Sequence, residues 1–297
     1  MRILFITFLI SLLFSGVNAF AGDILVLQSM RVKPFDDALA GFRSTCNGAF
    51  RLIMVADTEG TDFVRMAQKE RPELILAIGA EALNKVVNVS GIPVIYLMVL
   101  NPEKITGGGK NFVGVNMNIP PDKYLSLLEK LNLHRLKIGV FYDPAKSGNF
   151  MRTIRQTAGS RGIEITAREV RHSKEVPELL SEMKGSFDLF WMLPDTTVVT
   201  PETVEFLFLF SRQNRIPIIS FAGKYLETGA LASLEIDGFD LGKQAGEMAT
   251  RILGGTAVSD IPKADARKAI MKVNRKIAAK LGVNLSSLDA STLQPVH

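Results

Sequence analysis

Residues 137–142 read KIGVFY and residues 188–193 read DLFWML; in the first half of the chain, residues 23–27 read DILVL and residues 73–78 read ELILAI. The second pair repeats the first at an offset of about 114 residues, the distance from Asp23 to Lys137. These runs are apolar without polar alternation, the pattern of parallel strands covered on both faces. Amphipathic stretches separate them. In the first half the spacing predicts strands at Ile24–Leu27, Arg51–Val55, Leu74–Ile78, Val94–Val99 and Val113–Asn116. Helices are predicted at Pro34–Arg43, Asp62–Arg71 and Glu81–Val87. The second half restarts at Lys137–Tyr142, with a helix at Asn149–Ser160 and a strand at Glu164–Val170. A helix at Val176–Lys184 and the strand Asp188–Leu193 follow. Ile216–Ile219 repeats Ile92–Ile95, displaced by an insertion around Thr196–Glu202. Two βαβ halves of this kind predict an α/β protein of two Rossmann-like lobes with parallel sheets. No Pro/Gly/Ser-rich linker separates the halves, so a hinged pair is expected rather than independent beads.

The chain has 297 residues, 47% hydrophobic and 22% charged, which excludes a disordered or fibrous protein. Its net charge of +5 is mild for this length and does not suggest a nucleic-acid binder. The mean hydropathy is +0.18, and much of the excess apolarity lies at the front. Arg2 is followed by the apolar run Ile3–Leu13 and by Ala19-Phe20-Ala21. A basic start, a short apolar core and an A-x-A site predict a cleaved secretory leader over residues 1–21. The run is too short to span about 30 Å of hydrocarbon comfortably, and no cysteine follows the site to carry a lipid anchor. Cys46 is the single cysteine, which excludes a disulfide framework within one copy and any multi-cysteine metal site. It reads as a half-buried small residue on a helix.

In open parallel sheets, ligands sit beyond the carboxyl ends of the strands. The loops to inspect are therefore Gln28–Met30, Gly79–Glu81 and Leu100–Pro102 in one half. In the other they are Tyr142–Pro144, Pro194–Thr197 and Phe221–Gly223.

At these loops the sequence resembles the periplasmic substrate-binding proteins of ABC importers, in the type I two-lobed class. It is most similar to the group that includes tryptophan- and aromatic-amino-acid-binding members. The resemblance is carried by Ala77–Leu83, by Ile92–Tyr96 leading into Asn101-Pro102, and by Phe112–Val115. Lys137–Pro144, Leu193–Val199, Gly229–Ala232, Asp237, Leu241-Gly242 and Gln244-Ala245 complete it. It covers roughly residues 24–283, and order and spacing make it specific. Asn101 stands where the family usually has an acid, and Thr196 where it usually has asparagine. The resemblance implies a first lobe of residues 22–118 plus 237–258, a second of 119–236 plus 259–297, and a multi-segment hinge. It implies a small-molecule ligand, with an aromatic or branched amino acid leading, and an ABC permease of the inner membrane as partner. A periplasmic monomer without cofactor, metal or nucleic acid is expected.

A zwitterion needs an acceptor for its ammonium and donors for its carboxylate. Asp195, after a buried strand, could pair with the ammonium, or could cap the helix from Pro201. Asp237 could face the ligand, or could cap the helix Phe239–Leu253. Gly79, Ala80 and Glu81 open a helix whose free N–H groups could hold a carboxylate, or form a plain turn. Ser29 could add a hydroxyl, Asn101 can both donate and accept, and Thr196 lies in the same kind of loop. Tyr142 and Phe221 are candidate aromatic walls, whereas Tyr96 and Trp191 are mid-strand and read as core. Phe206, Phe208 and Phe210 cannot share one helix face, and most should pack.

Other signals point elsewhere. Thr106–Lys110 does not fit a phosphate loop. No G-x-S-x-G elbow is present, and His134, His172 and His297 read as surface residues. An exported α/β hydrolase would need a nucleophile–base pair that the sequence does not supply. The basic residues Lys272, Arg275, Lys276 and Lys280 read as the solvated face of a C-terminal helix. The expectation is a solute-binding protein, not an enzyme, that closes on its ligand by hinge bending and delivers it to a permease. The alternative is a sensing partner of a membrane receptor without transport.

Overall fold

Strand β1 (Asp23–Gln28) lies between two neighbours, β2 (Ala49–Met54) and β3 (Leu74–Ile78), pairs parallel with both, and is buried from Ile24 to Gln28. A computed structural model describes residues 23–133, 136–286, 288 and 293–294. The expected leader lies outside the described residues, as do His134 and His297. The chain divides into two units. One holds the described residues up to Asn116 together with Gly238–Ala264, and the other holds Met117–Asp237 with those from Asp265 onward. The backbone therefore passes from one unit to the other three times.

The first unit adds β4 (Val94–Leu97), β5 (Phe112–Asn116) and the short β11 (Ala264–Asp265) in the order β11-β5-β4-β3-β1-β2. Strand side chains alternate between faces. Leu25, Leu27, Ile75 and Ala77 join one cluster with Leu83 and Val86 of helix α3 (Ala80–Val86). Helices α1 (Lys33–Arg43) and α2 (Phe63–Glu70) and the short α4 (Glu103–Thr106) complete the connections before β5. Asp62 starts α2 by accepting a hydrogen bond from the Arg65 N–H at 3.0 Å.

Helix α10 (Gly238–Leu253) returns to this unit and packs on α1. Glycines make the approach possible. A Cβ on Gly242 would overlap the Ala38 carbonyl, one on Gly41 the Phe239 carbonyl, and one on Gly246 the Thr45 hydroxyl. At this separation the helices bond directly. Thr45 Oγ1 donates to the Lys243 carbonyl at 3.1 Å, and Thr250 Oγ1 donates to the Thr45 carbonyl at 3.1 Å. Cys46 lies just beyond α1 and is fully buried, deeper than expected; desolvation pushes its thiol pKa up.

The second unit contains α5 (Pro121–Lys130), β6 (Lys137–Tyr142), α6 (Pro144–Ser160), β7 (Glu164–Glu169) and α7 (Val176–Glu182). It continues with β8 (Leu189–Trp191), α8 (Pro201–Asn214), β9 (Ile218–Ser220), α9 (Lys224–Thr228) and β10 (Ala232–Ile236). Last come β12 (Ala269–Asn274), α11 (Arg275–Leu281) and β13 (Leu293–Gln294), and the sheet order is β13-β12-β10-β9-β8-β6-β7. Ile138, Val140, Leu189 and Trp191 face one core cluster, while Phe141 and Phe190 face the other. Both faces are covered, which is why these strands read as unbroken apolar runs.

Two expectations about elements are corrected. Helix α6 starts at Pro144, five residues before the predicted start, because Asp143 caps the Ala145 N–H at 2.8 Å with proline in the first turn. Lys272 belongs to strand β12, not to a helix, and β12 runs antiparallel to β10. Its ammonium meets Glu235 at 3.2 Å across that pair.

Trp191 and Tyr96 are core residues, as expected from their positions. The Trp191 ring lies 4.5 Å from that of Tyr124 and 6.5 Å from that of Phe150, centroid to centroid. Of the three alternating phenylalanines, Phe208 packs inside, whereas Phe206 is 49% exposed. The Tyr96 hydroxyl is buried and has no hydrogen-bond partner among the described residues. Burial, and then the charge of Glu103, push its pKa from 10.0 up to about 12. The unfolded phenol ionises first, so this part of the stability is complete below pH 10 and is lost as pH rises towards 12. Tyr96→Phe removes an unmatched hydroxyl, and a gain of up to about 1 kcal/mol is expected. Urea unfolding at pH 7 and pH 10.5 checks it, with the variant's advantage larger at the higher pH; a clear loss at both would contradict the assignment.

Candidate functional site

In the first unit the candidates gather where β1, β3 and β4 end. Ser29 is buried after β1, and its Oγ accepts a hydrogen bond from the Ala82 N–H at 2.9 Å. The cap that Gly79 lacks as a side chain thus comes from the neighbouring strand. Gly79 has φ 94°, and a Cβ there would press on the Ser29 side chain and the Phe35 ring, so both conformation and space call for glycine. Ala80 and Glu81 are exposed, and among the described residues their N–H groups have no hydrogen-bond partner. Gln28, which sequence reasoning missed, holds the loop from beneath. Its Nε2 donates to the Met30 carbonyl at 3.0 Å and to Asp36 Oδ1 at 2.8 Å.

Asn101, also exposed, follows β4 at φ 51°, a left-handed conformation that asparagine tolerates well. Met98 nearby has φ 56°, where a methionine costs of order 1 kcal/mol. The other non-glycine residues with positive φ (Arg71, Asn132 and Arg215) all lie at helix ends. The strain at Met98 marks this loop as one held by its surroundings, and no residue-type pattern announces it.

In the second unit a polar network joins the ends of β6 and β8. Asp195 is buried, and both its oxygens are engaged. Oδ1 accepts from the Thr197 N–H at 2.9 Å and the Val198 N–H at 3.3 Å; Oδ2 accepts from the Asp143 N–H at 2.8 Å. Asp143 Oδ2 in turn accepts from the Thr197 hydroxyl at 2.7 Å. The helix cap considered for Asp195 belongs to Thr200, whose hydroxyl accepts from the Thr203 N–H in a capping box. Thr196 is exposed, and its hydroxyl accepts from the Lys146 ammonium at 2.8 Å.

The Tyr142 ring is buried. Its hydroxyl meets Glu169 Oε1 at 3.2 Å, and the Arg155 guanidinium lies 5.8 Å from the ring centroid. Phe221 is half-buried and stands edge-on to Tyr225 at 5.5 Å. Asp237, after β10, pairs with Lys268 at 2.7 Å. The structure thus brings Tyr142, Asp195 and Thr196 into connected loops at one edge of the second sheet, with Phe221 and Asp237 at the ends of further strands. Ser29, Gly79, Ala80 and Glu81 form a separate group in the first unit.

Two α/β units whose polar loops lie at the carboxyl ends of parallel strands define a type I periplasmic binding protein fold. The family model described as ABC transporter substrate binding protein matches residues 49–289, and the chain belongs to that family. A curated relative, the "Tyrosine-binding protein" of Clostridioides difficile (strain R20291), is 26% identical over 229 residues. That alignment covers 74% of this chain and 66% of the relative, so the chain spans just under two thirds of the relative's length.

Among solved structures, a substrate-binding protein with adhesive properties from Clostridium difficile, ligand-free and open, aligns with TM-score 0.75 at 23% identity. It covers 93% of this chain and all of the other. An ABC domain in complex with L-Trp from Streptococcus pneumonia aligns with TM-score 0.62 at 21% identity, over 89% of this chain and 95% of that one. A sugar-binding protein of a Bacillus halodurans ABC transporter shares the fold at TM-score 0.57 and 16% identity, over 86% of this chain and 99% of the other.

Proposed function

We propose that this substrate-binding protein takes an aromatic amino acid, is exported after cleavage of its leader, and delivers its ligand to an ABC permease. The observation that carries the ligand class is the similarity to a tyrosine-binding relative, joined by the fold shared with a tryptophan-bound protein. The local chemistry supports it. The Ala80 and Glu81 N–H groups and the Ser29 hydroxyl suit a carboxylate. Phe221 keeps part of its ring accessible and suits an aromatic side chain. Thr196 and Asn101 offer exposed polar groups. Asp195 acts on the ligand through the loop it holds, which leaves Asp237 as the remaining acid among the second unit's candidates. We propose no catalysis at these residues.

The test uses protein recovered from the periplasmic fraction, its mass compared with that expected for cleavage after Ala21. L-Tyr, L-Trp, L-Phe and L-Leu are then titrated by calorimetry and thermal shift. An aromatic ligand at a hundred times its Kd stabilises the protein by about 2.7 kcal/mol. Phe221→Ala is expected to weaken that ligand about tenfold, close to 1.4 kcal/mol. If none of the three aromatic amino acids gives heat or a shift, the ligand assignment is wrong.

A further inference from the structure

The second unit has a cavity that none of its candidate ligand residues lines. It lies between α8 and α11, has a volume of about 820 Å³, and is bounded by Arg215 before β9 and Gly229 before β10. These are the amino ends of parallel strands, whereas the candidate ligand residues lie at carboxyl ends. The volume falls in the range of roughly 300–1,000 Å³ that small-molecule sites occupy.

The cavity is two-faced. Phe208, Leu209, Ile277 and Leu281 line it with apolar surface. Leu209 is 39% exposed and its neighbour Phe206 49%, so apolar surface is left in water at this place. Arg212, Arg215, Lys276 and Lys280 line the rest, and among the described residues none of the four pairs with a carboxylate. Glu205 and Glu227 share the rim, so the local balance stays positive.

Helix dipoles account for only part of this. Arg212 and Lys280 sit in last turns, where a cation is favoured, but Lys276 sits in the first turn of α11, where it is not. Uncompensated cations grouped on one cavity, one of them at the unfavourable helix end, are the arrangement an external anion would stabilise.

We infer that this cavity is a second binding site, taking an amphipathic organic anion with an apolar body and one carboxylate or phosphate. The inference does not rest on the aromatic amino-acid reading. Octanoate and octyl phosphate are titrated into the full chain by calorimetry, with octanol and acetate as neutral and apolar-free controls, each with and without L-tyrosine. The expected result is one-to-one binding of at least one octyl anion, at least tenfold tighter than either control and unchanged by tyrosine. Octanoate against octyl phosphate decides which head group the site prefers. Arg212→Glu combined with Lys276→Glu is expected to weaken the anion at least tenfold while circular dichroism and melting temperature hold. The proposal is overturned if neither octyl anion binds, if octanol binds as well, if tyrosine displaces the anion, or if the folded double variant binds like the parent. The heat of tyrosine alone reports separately on the earlier reading.

Discussion

Asp195→Ala is expected to lose about 3–5 kcal/mol of unfolding free energy, because three backbone N–H groups around a buried carboxylate lose their acceptor together. Its bonds span the ends of β6 and β8, so the loss should appear as a lower urea midpoint with little change in slope. Asp195→Asn keeps one carbonyl oxygen as acceptor and should lose less, about 1–2 kcal/mol. If the carboxylate served mainly as counter-ion to a ligand ammonium, the order of effects would invert. Stability would then barely move, and affinity would fall steeply even for asparagine. A parental midpoint for Asp195→Ala would remove the network from the account of the fold.

Gly242→Ala carries the second large effect, and its sign is the informative part. In an exposed helix interior, alanine for glycine gains about 1 kcal/mol. Here the added methyl would overlap the Ala38 carbonyl across the α1–α10 contact, and backbone rather than a flexible side chain would have to move. A net loss of about 3 kcal/mol is expected. Gly159→Ala is the matched control. It lies in helix α6 with nothing within 4 Å of the added Cβ, and it should gain about 0.5–1 kcal/mol in the same denaturation experiment. Equal behaviour of the two variants would contradict the close packing of α1 on α10.

The buried strands were legible because parallel sheets covered on both faces demand unbroken apolar runs, and β1, β3 and β6 carry them openly. The start of α6 was readable in principle, since Asp143-Pro144 is a capping residue followed by proline. Directly after a strand, however, the same pair also reads as a loop. Strand β12 was harder. Its six residues adjoin a truly helical basic stretch, and only pairing with β10 reveals that Met271 and Lys272 point to opposite faces. At the site, residue type and strand position were enough to single out Asp195 and Ser29. Their partners were not legible, because the Asp143 and Ala82 N–H groups reach them across 52 and 53 residues of chain. Met98 gave no sign at all, since its backbone strain is imposed by the fold around β4.

The three passages of the chain between units also govern the order in which the molecule can assemble. Helix α1 finishes early, but the surface that covers it arrives only with α10, and the bond from Thr45 to Lys243 closes a loop of 198 residues. A nascent chain therefore has to produce the whole middle of the second unit before the first sheet is sheathed. Such long-range closure slows folding and prolongs exposure of apolar strands. Refolding should accordingly populate a species in which the sheet of the second unit is protected from hydrogen exchange before α1 is, the reverse of their order in the sequence.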